Sequence, residues 1–523
     1  MAHRLEKEAN GEYALVIDGF EEGIAPDPYS GMGLMQSVDL ETPGEVAVGY
    51  PITASTTSGG TLGSPIARST RYFPTYITQG QPTGLEQSYA ILDASGQVWE
   101  RSASSISGAW TFLSSSNSTT GSSNLDGIVY WLGYLIKFRN QSIDYWNGSA
   151  WSAGWITSSG TVGDTTYIAT GVKHFAYVAS NNQLYFTNGN FLGRIFAPDP
   201  DAFAPGTAST YDFNASILRI PVNDVALSLA EVGGGNSSQS TLLVGGALNA
   251  IYPWDKLSTS FGLPIYVAES YIGRMVSANQ NAFIFPGRFA GRGNIYITNG
   301  SQADVFYKIP DYIFGQQDPY FFWGDAIFHR NNLVFGMIPI SNTGTNPNSN
   351  SVWALRISDK VFRSISRITT ATSKMLATVL IPIVSPNGSP LFPPGFGYFI
   401  GWNDDSTGYG IGLTNTPAGT NSAGSSILTD LVEIGTYLEK KTYQNLEVKL
   451  RTPLESGESF TVTPIVDSVT GSALTFSQPT PTTGTISSVA NVNFQGAQWL
   501  QFLVTQIGNS LTSGVRLYEI RIR

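Results

Sequence analysis

The feature that most constrains the fold is a strand–turn–strand pattern that recurs along the chain. Short runs rich in Val, Ile, Tyr, Phe and Trp are interrupted by Gly, Asn, Asp or Ser, which is typical of β-hairpins. Stretches with helical periodicity are nearly absent after residue 9. The pattern therefore predicts an all-β protein. It is clearest in seven segments: Tyr89–Glu100, Ile128–Trp146, His174–Thr187, Leu242–Trp254, Ala282–Thr298, Ala326–Gly336 and Gly397–Gly412.

The spacing of these hairpins indicates a ring of repeats. Their starts lie roughly 40 to 70 residues apart, and a four-stranded propeller blade with its loops needs about 40 to 50 residues. Each blade buries a face only against its neighbours, so closing the ring leaves few exposed edges. We therefore predict a β-propeller of about seven blades, within a range of about six to eight, over residues 76–413. A large β-sandwich or a β-helix is the alternative.

Three hairpins end on similar phrases that contain Asn-Gly. They are Tyr145–Ser149, Phe186–Asn190 and Ile297–Ser301. Asn-Gly is a strong signal for a two-residue hairpin turn in which both central residues have positive φ. We therefore expect one more strand after each of these turns.

Composition changes at both ends of the repeat region. Residues 1–50 carry ten acidic and two basic residues, a net charge of −8, and the remaining 473 residues sum to −2. We predict that residues 1–75 form an acidic, extended lead-in arm that can give a strand to the last blade. The small, polar residues 414–428 are predicted to be a linker. Residues 429–523 have the size and strand pattern of a C-terminal antiparallel β-sandwich.

Charge and cysteine content exclude several function classes. The chain has no cysteine, which excludes disulfide scaffolds, Cys-zinc sites and thiol nucleophiles. Only 13% of the residues are charged and the net charge is −10, with no basic stripe, so specific nucleic-acid binding is disfavoured. No apolar signal core and no apolar run of about 18 residues occurs, so no membrane insertion is expected.

Catalytic motifs are also missing from the sequence. The three histidines, His3, His174 and His329, lie in different segments and are read as ordinary strand residues. No HExxH, GxSxG or P-loop pattern occurs. Asp93 and Trp99 only faintly resemble the Asp box of sialidases. A propeller glycosidase would need two carboxylates about 5–10 Å apart in a central pocket.

Two further sets of residues have side chains that could bind a ligand. An arginine cluster for a carboxylate substrate would have to come from Arg274, Arg288, Arg292 and Arg330, whose spacing does not select them. The acidic turn residues Asp199, Asp201, Asp404 and Asp405 do not have the alternating ligands of a Ca²⁺ loop. We therefore predict no catalytic residues, no metal site and no cofactor.

Tryptophans spread over the repeats give the main alternative. Sugar-binding propellers stack rings on exposed aromatic side chains, so a carbohydrate- or host-receptor-binding protein predicts a cluster of exposed aromatics on one face. The other interpretation is that each ring fills a blade core or a seam between blades. The residues concerned are Trp131, Trp146, Trp151, Trp254, Trp323, Trp353 and Trp402.

The chain resembles bacteriophage tail structural proteins, namely the tail nozzle or tubular tail proteins of short-tailed phages. The likeness is carried by the Gly/Pro-punctuated opening at 17–51, by the divergent repeats of low charge, and by the strand-like C-terminal segments Ile434–Tyr437, Leu446–Leu450, Phe494–Val504 and Val515–Ile522. No functional residue is carried over from it.

This resemblance implies a non-enzymatic virion protein of the phage tail, made in the host cytoplasm. Such proteins self-assemble into a homo-oligomeric ring, often a hexamer, around the DNA-exit channel. They dock to other tail proteins, such as an adaptor, a portal-proximal protein or a fiber protein. DNA would be only non-specific cargo in the channel, because an acidic, weakly charged surface gives phosphates no cations to bind.

Overall fold

The computed structural model describes the strands of the chain and many of the turns between them. No helix among the described residues is both long and apolar enough to cross a membrane. The described residues are 2–9, 13–18, 34–36, 38–39, 46–48, 52–62, 66–72, 88–93, 95–102, 109–113, 127–139, 142–157, 168–169, 171–233, 240–287, 293–310, 321–339, 351–367, 375–382, 398–404, 408–414, 425–429, 432–433, 442–451, 454, 458–477, 486–495, 499–507 and 516–523.

Seven short strands lie before the repeat region. Five of them belong to two sheets at the C-terminal end of the chain, and two belong to the ring of repeats. They are β1 (Ala2–Lys7), β2 (Tyr13–Asp18), β3 (Leu34–Gln36), β4 (Val38–Asp39), β5 (Val46–Val48), β6 (Ile52–Ala54) and β7 (Thr57–Ser58).

The next strands form seven separate antiparallel sheets, which are the blades of a β-propeller. Blade 1 contains β8 (Ile66–Tyr72), β9 (Ser88–Asp93), β10 (Val98–Ser102) and β11 (Trp110–Phe112); blade 2 contains β12 (Gly127–Trp131), β13 (Tyr134–Arg139), β14 (Ser142–Trp146) and β15 (Trp151–Thr157); blade 3 contains β16 (Ala176–Val178), β17 (Leu184–Asn188), β18 (Phe191–Phe196) and β19 (Asp212–Arg219). Blade 4 contains β20 (Ala226–Val232), β21 (Thr241–Gly246), β22 (Ala250–Trp254) and β23 (Ile265–Tyr266); blade 5 contains β24 (Ile272–Ala278), β25 (Asn281–Pro286), β26 (Asn294–Thr298) and β27 (Ala303–Lys308). Blade 6 contains β28 (Phe321–His329), β29 (Asn332–Pro339), β30 (Ser351–Arg356) and β31 (Phe362–Arg367); blade 7 contains β32 (Met375–Pro382), β33 (Tyr398–Asp404) and β34 (Tyr409–Thr414). Three single-turn 3₁₀ helices, Pro200–Ala202, Ala208–Thr210 and Pro221–Asn223, lie in the connections on either side of β19.

The blades close into a ring. The first strand of each blade contacts the first strand of the next, and β32 of blade 7 contacts β8 of blade 1. The all-β propeller prediction is therefore confirmed, and each of the seven predicted hairpins lies in a different blade. Because every blade shares its buried faces with two neighbours, the hydrophobic core is divided among the seams between blades.

Residues 52–58 of the lead-in arm close the ring by pairing with blade 7 and with blade 1. β6 pairs antiparallel with β34 and becomes the outer strand of blade 7, while β7 pairs parallel with β11 at the outer edge of blade 1. Ile52 of β6 is buried beside Tyr398 and Ile400 of blade 7. Residues 52–58 therefore join the last blade to the first.

The last nine strands complete two seven-stranded sheets outside the ring. They are β35 (Ser425–Leu428), β36 (Val432–Glu433), β37 (Thr442–Leu450), β38 (Ser459–Val466), β39 (Val469–Thr470), β40 (Leu474–Ser477), β41 (Ile486–Gln495), β42 (Trp499–Ile507) and β43 (Arg516–Ile522). The terminal sheet has the order β1-β2-β43-β37-β41, with β5 and β4 continuing from β43. The second sheet has the order β3-β35-β42-β38-β39, with β36 beside β42 and β40 beside β38.

These two sheets bury their apolar sides in one cluster. Every second residue of β38 and β42 is buried, so each strand has one buried and one open side. Val462 and Phe502 of the second sheet belong to the same cluster as Leu446 and Ile520 of the terminal sheet. We interpret the pair as the predicted sandwich, and that part of the fold prediction stays an interpretation.

Strand pairing crosses the segment limits that composition suggested. β8 starts at Ile66, within the predicted arm 1–75, and β35 lies within the predicted linker 414–428. β2, β3 and β5 pair with strands from the far end of the chain, while β1 pairs with β2 and β4 with β5. The sheet to which a strand belongs is decided by its pairing partner, and composition does not reveal that partner.

The Asn-Gly turns differ in detail from the prediction. Each is followed by one more strand, as expected. Gly148 has a φ of +98°, but Asn147 is not among the residues with positive φ. The Asn147 side chain instead accepts hydrogen bonds from the N–H groups of Ser149 and Ala150, at 3.0 and 2.8 Å. The asparagine therefore stabilises the turn through its side chain.

Candidate functional site

The three histidines lie in different sheets. His3 is in β1, His329 is in β28, and His174 precedes β16. His174 is fully buried, its Nδ1 lies 2.9 Å from the carbonyl oxygen of Thr187, and burial lowers its pKa. His329 packs edge-on against the ring of Tyr398. The structure does not bring these residues together.

Arg274 lies among three blades. Its Nε is 3.0 Å from Asp325 Oδ1 of blade 6, and its guanidinium lies 5.0 Å from the ring centroid of Phe175 in blade 3. Arg330 is exposed in the turn after β28, while Arg288 and Arg292 lie outside the described residues. Arg274 therefore links blades 3, 5 and 6, which is a structural role.

A second contact also joins blades 3 and 5 directly. Tyr177 of blade 3 is hydrogen-bonded to Ser277 of blade 5, and burial raises the Tyr177 pKa. Phe175 and Arg274 make the other contact between these two blades. Blades 3 and 5 are therefore linked to each other although blade 4 lies between them in the ring.

Asp93, the residue that suggested an Asp box, holds its own turn. Its Oδ1 accepts hydrogen bonds from the N–H groups of Ser95 and Gln97, both at 2.9 Å. Its Oδ2 accepts one from Trp99 Nε1 at 3.2 Å. The carboxylate is fully buried and stabilises the β9–β10 hairpin.

The acidic turn residues do not form a cation site in the part of the chain that is described. Asp199 Oδ1 accepts a hydrogen bond from the N–H of Asp201 at 3.1 Å and caps a 3₁₀ helix. Asp404 is the last residue of β33, and Asp405 lies outside the described residues. Among the described residues, no group of three or more His, Cys, Asp or Glu side chains is placed to hold a metal ion.

Ten tryptophans lie in the blades and their seams, and Trp499 lies in β42 of the second sheet. All 11 are in described segments and none is exposed. Trp131 of blade 2 donates a hydrogen bond to the carbonyl oxygen of Asn182 in blade 3, at 2.9 Å. Trp323 of blade 6 donates one to the carbonyl oxygen of Pro286 in blade 5, at 2.6 Å. None of the tryptophans therefore supplies an exposed ring to the aromatic cluster that the carbohydrate-binding alternative predicts.

A buried polar cluster at the seam of blades 3 and 4 has no obvious sequence signal. Lys256 Nζ lies 2.6 Å from Glu231 Oε1, and the two side chains are only 4% and 10% exposed. Ser180 of blade 3 donates its N–H and its hydroxyl to the Glu231 carboxylate at 2.8 and 2.7 Å. Ser240 donates to the same carboxylate at 2.7 Å and contacts Lys256. These contacts join a hairpin of blade 3 to three parts of blade 4.

Burial opposes the charge of Glu231, but its hydrogen bonds outweigh that effect. Desolvation alone would raise the pKa, whereas the bonds from Lys256, Ser240 and Ser180 lower it, and the net pKa lies below the ordinary value. The carboxylate of Glu231 therefore stays ionised beside Lys256.

Two tyrosine–carboxylate pairs repeat in blades 4 and 5. Tyr252 donates its hydroxyl to Asp224 at 3.0 Å, and Tyr296 donates its hydroxyl to Glu269 at 2.6 Å. Each acid precedes the first strand of its blade and each tyrosine is the third residue of the third strand. Desolvation and the carboxylate raise both tyrosine pKa values, that of Tyr296 to about 12. The acids thereby anchor the chain where it enters each blade.

A charge network lies on one side of the terminal sheet. Arg521 of β43 lies 3.0 Å from Glu6 Oε2 and 3.2 Å from Glu8 Oε1. Glu6 lies in β1, and Glu8 directly follows this strand. Arg523 lies 2.7 Å from Glu8 and 2.8 Å from Glu447 of β37. These ion pairs attach the first strand of the chain to the last one.

A buried arginine lies at the seam where the ring closes. Arg101 of blade 1 is 3% exposed, and its guanidinium lies 4.7 Å from the ring centroid of Phe399 in blade 7. It donates a hydrogen bond to Ser55, next to β6, at 3.2 Å. Desolvation lowers the Arg101 pKa to about 10.

Comparisons with known proteins give distant likenesses only. No protein-family model matches the chain, and no curated protein matches it. The computationally designed protein Ika8 is 9% identical, with 69% of this chain and 99% of that chain covered and a TM-score of 0.38. The β-propeller domain of Cps50 (Swd1) from Myceliophteria thermophila is 10% identical, with 62% and 92% covered and a TM-score of 0.39. An exo-beta-1,3-galactanase from Phanerochaete chrysosporium is 12% identical, with 92% and 100% covered and a TM-score of 0.26.

Proposed function

We propose that this chain is a non-enzymatic structural protein of a bacteriophage tail. In this role it assembles with copies of itself into a ring around the DNA-exit channel and docks to neighbouring tail proteins. The proposal begins from the sequence resemblance to tail nozzle proteins. The structural observation that best supports it is the way the chain fastens its own ends.

Two sets of contacts fasten the ends. β2 near the start of the chain pairs directly with β43 at its end, through Leu15–Ile522, Val16–Arg521 and Ile17–Ile520. Residues 52–58 join blade 7 to blade 1. Among the described strands, β1, β2 and β43 are thus all paired, which opposes fraying. A chain fastened in this way suits a particle that must withstand DNA passage.

The polar clusters support the same role. The carboxylates of Glu231, Asp224 and Glu269 each accept hydrogen bonds from at least two other residues of the same chain. These hydrogen bonds hold strands and blades in place. In this proposal the DNA channel lies between copies of the chain, as a ring of several chains requires.

The test is the assembly state of the full-length chain. We expect ring-shaped particles by negative-stain electron microscopy and a mass of several copies by light scattering, either alone or with the neighbouring tail proteins. Addition of duplex DNA should produce only weak, salt-sensitive binding. A monomer that forms no ring even with those neighbours would contradict the proposal.

A further inference from the structure

Three Asn-Gly steps lie at hairpin turns of blades 2, 3 and 5. They are Asn147-Gly148, Asn188-Gly189 and Asn299-Gly300, and their glycines have φ values of +98°, +68° and +98°. Two further steps, Asn10-Gly11 and Asn387-Gly388, lie outside the described residues. An asparagine followed by glycine can react with its own backbone, because glycine has no side chain to keep its nitrogen away from the asparagine amide.

The reaction joins the backbone nitrogen of the glycine to the side-chain carbon Cγ of the asparagine. The nitrogen loses its proton as the new N–Cγ bond forms, and the Cγ–Nδ2 bond breaks, which releases ammonia. Water then opens the succinimide ring at either carbonyl group and gives aspartate or isoaspartate. Negative charge develops on Oδ1 during the attack, so hydrogen-bond donors directed at Oδ1 accelerate it. A hydrogen bond donated by the glycine N–H slows it, because that bond must break before the nitrogen attacks.

Asn147 has several donors on the oxygen that takes up this charge. Its Oδ1 accepts hydrogen bonds from the N–H groups of Ser149 and Ala150, at 3.0 and 2.8 Å, and from the Ser149 hydroxyl at 3.0 Å. Residues 147–150 are all exposed, and a Cβ atom on Gly148 would meet nothing within 4 Å. In the part of the chain that is described, the Gly148 N–H donates no hydrogen bond. The attacking nitrogen is therefore accessible, and the amide oxygen is surrounded by donors.

Asn299 is followed by the same two residues, Gly and Ser, but its glycine is held in place. The Gly300 N–H donates a hydrogen bond to Thr298 Oγ1 at 3.0 Å. A Cβ atom on Gly300 would lie 3.0 Å from Val232 Cγ2, so this glycine also packs against blade 4. The N–H of Ser301 and its hydroxyl donate to Asn299 Oδ1 at 3.1 and 2.7 Å. Donors to the oxygen are thus present here too, and the bond from Gly300 to Thr298 makes the difference.

Asn188 is held by both ends of its own side chain. It is only 2% exposed, and its Oδ1 accepts a hydrogen bond from the N–H of Ala169 at 2.8 Å. Its Nδ2 donates to the carbonyl oxygen of Ala215 at 2.9 Å. Turning Cγ towards the buried Gly189 would leave these buried groups unpaired, which is costly. This asparagine is therefore protected although it precedes a glycine.

We propose that Asn147 is a self-modification site, at which the chain converts its own asparagine amide into a succinimide and then into aspartate or isoaspartate. The inference goes beyond the proposed tail role and does not depend on it. The product places a new negative charge on the exposed turn between β14 and β15. Isoaspartate also lengthens the backbone of this turn by one atom.

The experiment follows the three asparagines in the full-length chain during incubation in mildly alkaline buffer. Peptide mapping by mass spectrometry measures the loss of each amide, and enzymatic methylation of isoaspartate gives a second readout. In the folded chain Asn147 should react at least about tenfold faster than Asn299, as expected for an amide with well-placed donors and a free nucleophile. Asn188 should stay intact. In urea, Asn147 and Asn299 should react at similar rates, because the residues that follow them are the same.

The variant Thr298→Val tests why Asn299 is protected. Without the Thr298 hydroxyl the Gly300 N–H loses its acceptor, so Asn299 should react at least about threefold faster than in the natural chain. The rate at Asn147, in another blade, should not change.

Thr187→Val is the matched control. Thr187 is also buried and also precedes an Asn-Gly step, but its hydroxyl bonds the chain just before β16 and not the glycine. Asn188 should therefore stay intact in this variant. Thermal unfolding checks that both variants fold.

Two results would overturn the inference. The first is a folded chain in which Asn147 reacts no faster than Asn299 or stays intact while both react in urea. The second is a folded T298V variant whose Asn299 rate is unchanged, since the protecting bond would then have no effect. Neither result bears on the assembly state of the chain, so the proposed tail role would stand or fall by its own test.

Discussion

Lys256 Nζ lies 2.6 Å from Glu231 Oε1, in an ion pair that is nearly closed to solvent at the seam of blades 3 and 4. Removing one partner of a buried pair leaves the other charge uncompensated, which costs about 3–5 kcal/mol. We therefore expect Lys256→Met to lower the free energy of unfolding by about that amount. Denaturation in urea, followed by tryptophan fluorescence, measures it.

The double variant K256M/E231Q is the control for this prediction. It removes both charges and should recover part of the loss, because no unpaired charge then remains buried. A double variant less stable than K256M alone would show that the stability of this seam does not depend on the ion pair.

A second prediction concerns the acid sensitivity of the β1–β2 hairpin. The pKa of Glu6 is lowered chiefly by its hydrogen bond from Arg4, and that of Glu8 chiefly by its hydrogen bond from Arg523. A carboxyl group whose pKa is lower in the folded state stabilises the fold above its ordinary value of 4.5. This contribution is lost as the pH falls below that value through the folded-state pKa.

We therefore expect residues 2–18 to exchange their amide hydrogens faster below pH 4.5 than at neutral pH, after correction for intrinsic rates, while the blades keep their protection. The variant E6Q/E8Q should exchange rapidly in this hairpin at both pH values. Equal protection of residues 2–18 in the natural chain across this range would contradict the role given to these ion pairs.

The repeats were predictable because their signals are local. Turn residues such as Asn182 and Asn331 lie between two apolar runs, and both have positive φ, as such turns require. Each predicted hairpin could therefore be recognised within about 20 residues of sequence and assigned to one blade. The ring then followed from the repetition of the unit.

The pairings that complete the fold were not predictable in this way. β6 pairs with β34, and β2 with β43, across almost the whole chain. Nothing in Ile52–Ala54 or Tyr13–Asp18 specifies which edge each strand joins, since any open edge offers the same hydrogen-bonding groups. Composition indicated the arm 1–75, but it did not indicate the two sheets and two blades in which strands of this arm pair.

The polar clusters were missed for a related reason. Glu231, Ser180 and Lys256 come from separate parts of two blades and match no motif. The tyrosine–carboxylate pairs had one usable signal, because the acid and the tyrosine keep a similar spacing in blades 4 and 5. Aligning the blades on their hairpins would have brought these two pairs into the same columns.

The tyrosine pairs give a third prediction, in which two similar substitutions have unequal effects. Asp224 Oδ1 also accepts hydrogen bonds from the N–H groups of Val225, Ala247 and Leu248, whereas the other side-chain donor to Glu269 is Asn294. Tyr296→Phe should therefore cost more than Tyr252→Phe, within the range of about 1–3 kcal/mol for a buried group that loses its partner.

Urea denaturation of the two single variants measures this difference. In alkaline solution the natural chain should lose stability as the pH rises from 10 towards 12, since the folded-state pKa of Tyr296 is raised from 10.0 to about 12 and its neutral form is the one that binds Glu269. The Y296F variant should lose less over that range. Equal costs for Y252F and Y296F would contradict the assignment of donors.

The fourth prediction tests how the ring is closed. Ile52 is the buried residue by which β6 packs on blade 7, beside Tyr398 and Ile400. Truncating a buried isoleucine costs about 2–5 kcal/mol, and β6 has only three residues with which to resist detachment. In Ile52→Ala we expect amide protection to fall first in β34, whose outer side β6 covers, and least in blade 4 across the ring.

Val305→Ala, at an exposed site on the outer strand of blade 5, is the control and should change stability by less than about 0.5 kcal/mol. Uniform loss of protection in all blades of I52A would mean that the ring opens as a single cooperative unit and that β6 does not act locally.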